Sequence, residues 1–289
     1  MIKEFTVGAD PEMFIINETT GEVVSSIGLI PGEKGDAYHS EDMPEGYGIE
    51  TDNILAEFNI PPCKTKEEFI YAMNYMKDYI RKFVKNVNPE LNIKCSASEM
   101  VGDDQLRSPE AKMFGCSVDF NAYTEDSNPK PCGESTNLRS AGCHIHLGYD
   151  PKSYESSIEL LKLMDVFVGL PSILIDKDDR RRSLYGKAGC FRLTPYGIEY
   201  RVLSAKMYDT DDLMSLIWDG VMLAISAHNN NFEYNAGAEM VIQAINESDE
   251  KLAKAVLEDV FGSIFKNFSA MSDQAKSFIT ELETIKNKL

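Results

Sequence analysis

At Thr65 the hydrophobic period of the chain changes from two to between three and four, and a fold that accommodates both must pack a sheet against helices. Before the change, residues 4–7, 13–16, 23–26 and 54–60 are short β-type runs bounded by Gly, Pro, Asn and Asp. After it, Thr65-Lys66-Glu67-Glu68 has the spacing of a helix capping box. Phe69, Met73, Met76, Ile80, Phe83 and Val87 then recur at steps of three and four, predicting an amphipathic helix over about residues 66–87.

The rest of the chain extends this α+β reading. Residues 91–150 are broken by Gly and Ser and predict short strands and loops, ending in the strand Gly142-Cys143-His144-Ile145-His146-Leu147. A second helix carries Ile158, Leu161, Met164 and Val168 on one side and is expected to end at Pro171. A polar loop from Asp176 to Gly189 leads to a strand over residues 197–203. From Asp211 onward three or four helices are expected, opened by Leu213, Leu216, Ile217, Val221 and Leu223. No repeat or linker interrupts the chain. The expectation is one domain over residues 1–289, with a sheet-rich core to about 205 and a helical part over 211–289. Strands and helices alternate too irregularly for a doubly wound parallel sheet, so a mainly antiparallel one is expected.

Composition excludes several classes of function. With 43% hydrophobic residues the 289-residue chain can build a substantial core. It has no apolar run of membrane-spanning length, and Met1-Ile2-Lys3-Glu4-Phe5 lacks the layout of a secretory signal, so a cytoplasmic protein without a membrane partner is expected. A net charge of -18 repels nucleic acid, and the one basic run, Arg180-Arg181-Arg182, follows Asp178-Asp179. The six cysteines (Cys63, Cys95, Cys116, Cys132, Cys143 and Cys190) form no Cys-x-x-Cys pair and read as reduced, buried thiols.

Chemistry concentrates where charge interrupts apolar strands. His144 and His146 project from one face of their strand and can share a ligand. Asp10 and Glu12 do the same around Pro11, which should place that strand at an edge or kink it. Glu57 lies among Leu55, Ala56, Phe58 and Ile60, and Glu199 shares a face with Arg201. Each feature alone has an ordinary structural reading, as a solvated turn, a satisfied imidazole or an ion pair. Together they suggest clustered oxygen ligands for a hard cation. The segment from Arg180 to Arg192 adds five cations and two glycines in thirteen positions, although Lys187-Ala188 excludes a P-loop. Two rival readings stand beside a metal–nucleotide site. One is a hydrolase with zinc on His144 and His146, for which only His228 remains downstream as a further imidazole; the other is a non-catalytic phage or virion binding protein.

The acid pair, Glu57, Gly142-x-His144-x-His146 and Glu199-x-Arg201, in this order, resemble the glutamine-synthetase-like carboxylate-amine ligases, which include the glutamate-cysteine ligases. The phage-type members, carboxylate-amine ligase type 2, are the nearest in look, over about residues 5–205. The resemblance implies a curved, mainly antiparallel sheet of the glutamine synthetase catalytic type, holding magnesium or manganese beneath ATP. It implies metal ligation by Asp10, Glu12, Glu57, His144 and Glu199, with Glu50 or Asp52 as a further acid. His146, Arg182, Lys187 and Arg192 would contact the nucleotide, and His146, Arg192 and Arg201 the reacting groups. The implied reaction joins a carboxylate and an amine, on small molecules or peptides, through an acyl phosphate. Asp10 stands where many relatives have glutamate, and residues after 211 match no motif of the resemblance.

Overall fold

In the computed structural model, which describes residues 1–113, 119–129, 136–150 and 153–288, the expected runs at 4–7 and 13–16 are one long strand, β1 (Thr6–Asn17). Gly8-Ala9-Asp10-Pro11-Glu12 continues the extended backbone between them. Among the described residues ten further strands follow: β2 (Val23–Val24), β3 (Gly48–Asp52), β4 (Leu55–Asn59), β5 (Leu91–Lys94), β6 (Ser98–Met100), β7 (Phe120–Asn121), β8 (Leu138–Ser140), β9 (Cys143–Gly148), β10 (Cys190–Thr194) and β11 (Gly197–Tyr200). The main sheet runs β3-β4-β1-β9-β11-β10-β7, with β2 and β5 on the second half of β1 and β6 paired with β8 apart from it. All these pairings are antiparallel. The fold is therefore α+β with a mostly antiparallel, open sheet.

Pro11 is not at an edge. β1 lies between β4 and β9, and Pro11, opposite Cys143, closes the β9 ladder. The missing donor falls where β1 leaves β9, and from Phe14 onward it pairs with β5 instead.

Period-two alternation gives the sheet two unlike faces. One carries Ala9, Met13, Ala56, Phe58, Ile145, Leu147, Ile198 and Tyr200, all buried in a single connected apolar cluster with the helices. Against it lies α1 (Lys66–Val87), whose Thr65 hydroxyl accepts the Glu68 N–H at 3.2 Å as the capping box predicts. Its buried stripe contains the expected Phe69, Met73, Met76 and Ile80, completed by Ala72, Lys77 and Val84, while Val87 is 59% exposed.

The second helix does not stop at Pro171. α3 (Tyr154–Met164) passes through a wide turn of π type over Asp165–Gly169 into α4 (Leu170–Ile175), where Pro171 occupies the first turn. The wide turn re-phases the hydrogen bonds, so the proline's missing N–H falls at the start of a new segment. The described residues also hold the one-turn helix α2 (Pro109–Lys112) and the α-helices α5 (Asp211–Asn229), α6 (Ala238–Asn246), α7 (Glu250–Asn267) and α8 (Ser272–Lys288). α5 packs on α1, α3 and α8. Among the described residues no helix is long and apolar enough to cross a membrane. Cys63, Cys95, Cys143 and Cys190 are buried free thiols. Cys116 and Cys132 lie outside the described residues.

Candidate functional site

The second face of the sheet is acidic, and strand register brings its side chains together. β1 sets Asp10 opposite His144 and Gly8 opposite His146. His146 in turn faces Glu199, which faces Arg192. Towards the other edge Glu12 faces Glu57, and Glu57 faces Glu50. Asp52 and Arg201, two residues beyond Glu50 and Glu199, extend the same face.

Within this row the ligand atoms fall into two groups, Asp10 with His146 and Glu199, and Glu12 with Asp52 and Glu57. In each group one donor atom per residue lies within 4.8 Å of the others. His144 Nδ1 is 3.1 Å from Asp10 Oδ1 and 3.7 Å from Glu199 Oε1. His146 Nε2 approaches the same Asp10 oxygen to 3.3 Å. Yet Asp10 Oδ1, His144 Nδ1 and His146 Nε2 are buried without a hydrogen-bond partner. Buried polar atoms converging in this way are what a shared cation would satisfy. The carboxylates of this set are donors for a hard divalent cation, and the two imidazoles add nitrogen donors of the kind that transition metals take.

The electrostatics carry the same mark of crowding. Burial opposes ionisation of Asp10, but the His144 and His146 imidazoles outweigh it and hold its carboxyl well below the usual range. Asp10 in turn, against the effect of burial, raises the His146 imidazole above its ordinary value. Burial first, then the charges of Asp10, Glu12 and Asp52, push Glu57 far up. Burial and Asp52 push Glu12 up as well. Glu12 is anchored nonetheless, since its Oε2 accepts the Gly142 N–H at 2.6 Å.

Cations border the acids on two sides. Arg201, buried, pairs with Glu199 Oε1, while Arg192 Nη1 reaches Glu199 Oε2 at 3.2 Å. Asp119 lies 3.7 Å from Arg201 Nε. From the opposite side Lys34 Nζ meets Asp52 Oδ2 at 2.6 Å. Between them opens a cleft of about 760 Å³, whose lining includes Asp10, Asp52, Glu57, Lys34, Arg192 and Arg201.

Eight of the residues expected from sequence thus share one face: Asp10, Glu12, Glu57, His144, His146, Arg192, Glu199 and Arg201. Arg182 and Lys187 do not join them. Arg182 is buried and donates to the Gly186 and Val202 carbonyls, tying down the loop. Burial, and after it Arg181, lower its guanidinium to about 10. Lys187 is half-buried, and neither residue lines the cleft. Arg180 pairs with Asp178 at 2.7 Å. Sequence reasoning missed Lys34 and Asp119, and held Glu50 and Asp52 only as candidates. Lys34 sits in a turn set by Gly32 and Gly35, both at positive φ; glycines mark such a turn, but nothing local says which face of the sheet it covers.

The model of the family described as phage phiEco32-like COOH.NH2 ligase-type 2 matches residues 133–288. No curated protein matches the chain significantly. The family match includes β9 with both histidines, Arg192, Glu199 and Arg201, and it includes α5 to α8, which the sequence resemblance left without a motif. It covers more than half of the 289 residues, so the chain belongs to the phage phiEco32-like carboxylate-amine ligase type 2 family.

Proposed function

We propose that this chain is an ATP-dependent ligase that forms an amide or peptide bond through an acyl phosphate, on a sheet of the glutamine synthetase catalytic type, and that residues 1–289 work as one unit. The observation that carries the reading is the convergence, on one face, of Asp10, His144, His146 and Glu199 beside Glu12, Asp52 and Glu57, with Arg192 and Arg201 at the margin. Family membership supports the reaction class.

In this reading the acids and imidazoles hold divalent magnesium or manganese, which when bound neutralises the triphosphate. His144 and His146 lie nearly equally close to Asp10, so both belong to the candidate ligand set. Arg192, with its exposed flank, contacts the phosphoryl group, and Arg201 holds Glu199 in place while adding positive charge to the floor. Arg182 serves by fixing the Gly186 loop behind the site, and Lys187 stands on that loop without a contact to the cleft. A substrate carboxylate attacks the γ-phosphorus and ADP leaves. An amine then attacks the acyl carbon, phosphate leaves, and the amine gives up its proton. Substrates are small molecules or peptides bearing these two groups, in a cytoplasm that keeps the cysteines reduced.

His228 favours this reading over a zinc hydrolase. It lies on α5 with its Nε2 3.1 Å from Ser156 Oγ, engaged away from the histidine pair. The direct test offers ATP, magnesium and pooled carboxylates with hydroxylamine as the amine. Formation of hydroxamate and ADP, dependent on both magnesium and carboxylate, is expected. ATP binding that ignores magnesium, or turnover left unchanged by both Glu57→Gln and Glu199→Gln, would overturn the proposal.

A further inference from the structure

Three carboxylates, Glu12, Asp52 and Glu57, meet within 4.8 Å at buried positions. One of the cations beside them is not on the sheet. It is Lys34, carried by a turn that lines the cleft and paired with Asp52 at 2.6 Å. The two partners differ in exposure: the Asp52 side chain is 5% exposed and that of Lys34 is 43% exposed.

The turn does not depend on this ion pair. Gly35 N–H donates to Glu50 Oε2 at 3.1 Å, Thr51 N–H to the Gly32 carbonyl at 3.2 Å, and Asp36 N–H to the Glu33 carbonyl at 2.8 Å. Gly32 and Gly35 adopt φ of +86° and +81°, which only glycine takes without strain. The backbone of the turn is therefore fixed independently of the lysine head group, which is carried on a flexible four-carbon stem. It shares the cleft with Arg192 and Arg201, which rise from the β10–β11 side, so cationic groups flank the acidic floor on both sides.

We infer that Lys34 is a resident counter-ion of the Glu12–Asp52–Glu57 cluster, which gives up Asp52 when a divalent cation binds and then holds the oxyanion of a substrate from the side opposite Arg192. This rests on the ligase reading of the same face. The physical reason is charge balance. One ammonium cannot neutralise three clustered carboxylates, whereas a divalent cation competes for the same Asp52 oxygen with twice the charge. Beside a metal-loaded floor, an anionic substrate offers the displaced ammonium the negative charge that Asp52 supplied before. The oxyanion is phosphoryl or carboxylate, and the two sources can be separated.

The test acetylates surface lysines of the full chain and reads Lys34 by peptide mass spectrometry in four conditions: chelator, magnesium alone, magnesium with a non-hydrolysable ATP analogue, and magnesium with pooled carboxylic acids. Magnesium alone should raise Lys34 reactivity severalfold. Renewed protection by the nucleotide analogue assigns the phosphoryl group, and protection only by the acids assigns the carboxylate. Asp52→Asn should make Lys34 more reactive in chelator than it is in the native chain, and Lys34→Met should bind manganese severalfold more tightly than the native chain. Reactivity that magnesium leaves unchanged or lowers overturns the inference, as does a Lys34 that stays protected in Asp52→Asn. Calorimetry on the same samples separates the two levels. Magnesium-dependent nucleotide binding with an unresponsive Lys34 sinks only this inference, and loss of that binding in the native chain sinks the ligase reading with it.

Discussion

Glu12 and Glu57 are directly paired across the β1–β4 ladder, two carboxylates at a position where sheets ordinarily place complementary side chains. Both are buried, Asp52 lies against them, and each is pushed above its usual range. Such a pair opposes folding unless something positive binds between its members. If the proposed cation binds there, the stability of the chain should rise with cation concentration.

Glu57→Gln should reveal that linkage. Without divalent cations the variant should melt higher than the native chain, because one of the mutually repelling carboxylates is gone. For a chain of this size each 1 kcal/mol of relief corresponds to about 2–4 °C. Added magnesium should raise the melting temperature of the native chain and barely move that of the variant. Scanning calorimetry with and without magnesium decides; equal magnesium shifts in both would show that Glu57 takes no part in cation binding.

Arg192 and Arg201 both pair with Glu199, and their substitution should separate stability from ligand binding. The Arg201 side chain is 5% exposed and that of Arg192 33%. Removing a fully desolvated partner leaves a buried charge uncompensated, so Arg201→Met should lose about 3–5 kcal/mol of unfolding free energy. Arg192→Met removes a partner that is one-third exposed and leaves Arg201 on Glu199, so it should lose no more than about 1 kcal/mol, yet weaken nucleotide binding at least as strongly. Urea titrations beside nucleotide titrations check this. Equal stability losses would mean that burial does not distinguish the two arginines.

What the sequence disclosed follows from the range over which each interaction acts. The capping box at Thr65, the stripe through Met76 and Ile80 and the same-face pairs Asp10/Glu12 and His144/His146 are local, and period alone places them. Register is not local. Nothing near Glu57 says that it faces Glu12, and nothing near Arg182 says that the Gly186 and Val202 carbonyls will absorb its charge while Arg192 remains beside the cleft. Pro171 misled for a related reason: a proline stops a regular helix, but the turn of π type before it restarts the hydrogen-bond phase. Asp165 did leave a signal, an acid inside Leu163-Met164-Asp165-Val166-Phe167, where an apolar stripe admits a charge only if something receives it.

α8 tests whether the helical part is integral to the sheet-bearing core. It buries Ala275, Phe278, Leu282 and Ile285 and packs on α5, which itself lies on α1 and α3. Phe278 is fully buried with its ring centroid 6.1 Å from that of Phe261. Phe278→Ala should cost about 3–5 kcal/mol, through lost burial and the cavity left behind. If the core is continuous, the variant should unfold in a single transition seen equally by the lone tryptophan, Trp218 on α5, and by far-ultraviolet circular dichroism. Two separated transitions would show that α8 melts independently of the rest.

Asp165 makes a prediction about pH. In the wide turn between α3 and α4 it is wholly buried, with Oδ1 accepting from the Tyr200 hydroxyl at 2.7 Å and Oδ2 from the Gly189 N–H at 2.6 Å. It thereby joins the helix to β11, one residue from Glu199, and to the loop that enters β10. Burial dominates these hydrogen bonds and raises its carboxyl from 3.8 to about 7. Between those values the folded chain retains a proton that the unfolded chain has released. Asp165 therefore stabilises the fold least where it must ionise: its contribution falls as pH rises from about 4 to about 7 and levels off above that. Asp165→Asn mimics the protonated acid, with the amide oxygen on Gly189 and the amide nitrogen towards Tyr200, and it cannot ionise. Relative to this variant, the native chain should lose stability across the window by up to roughly 1.4 kcal/mol per pH unit. Urea unfolding of both proteins in chelator from pH 4.5 to 8 measures the difference. Parallel profiles would mean that Asp165 is already ionised throughout, and that the Tyr200 and Gly189 donors, rather than burial, set its charge.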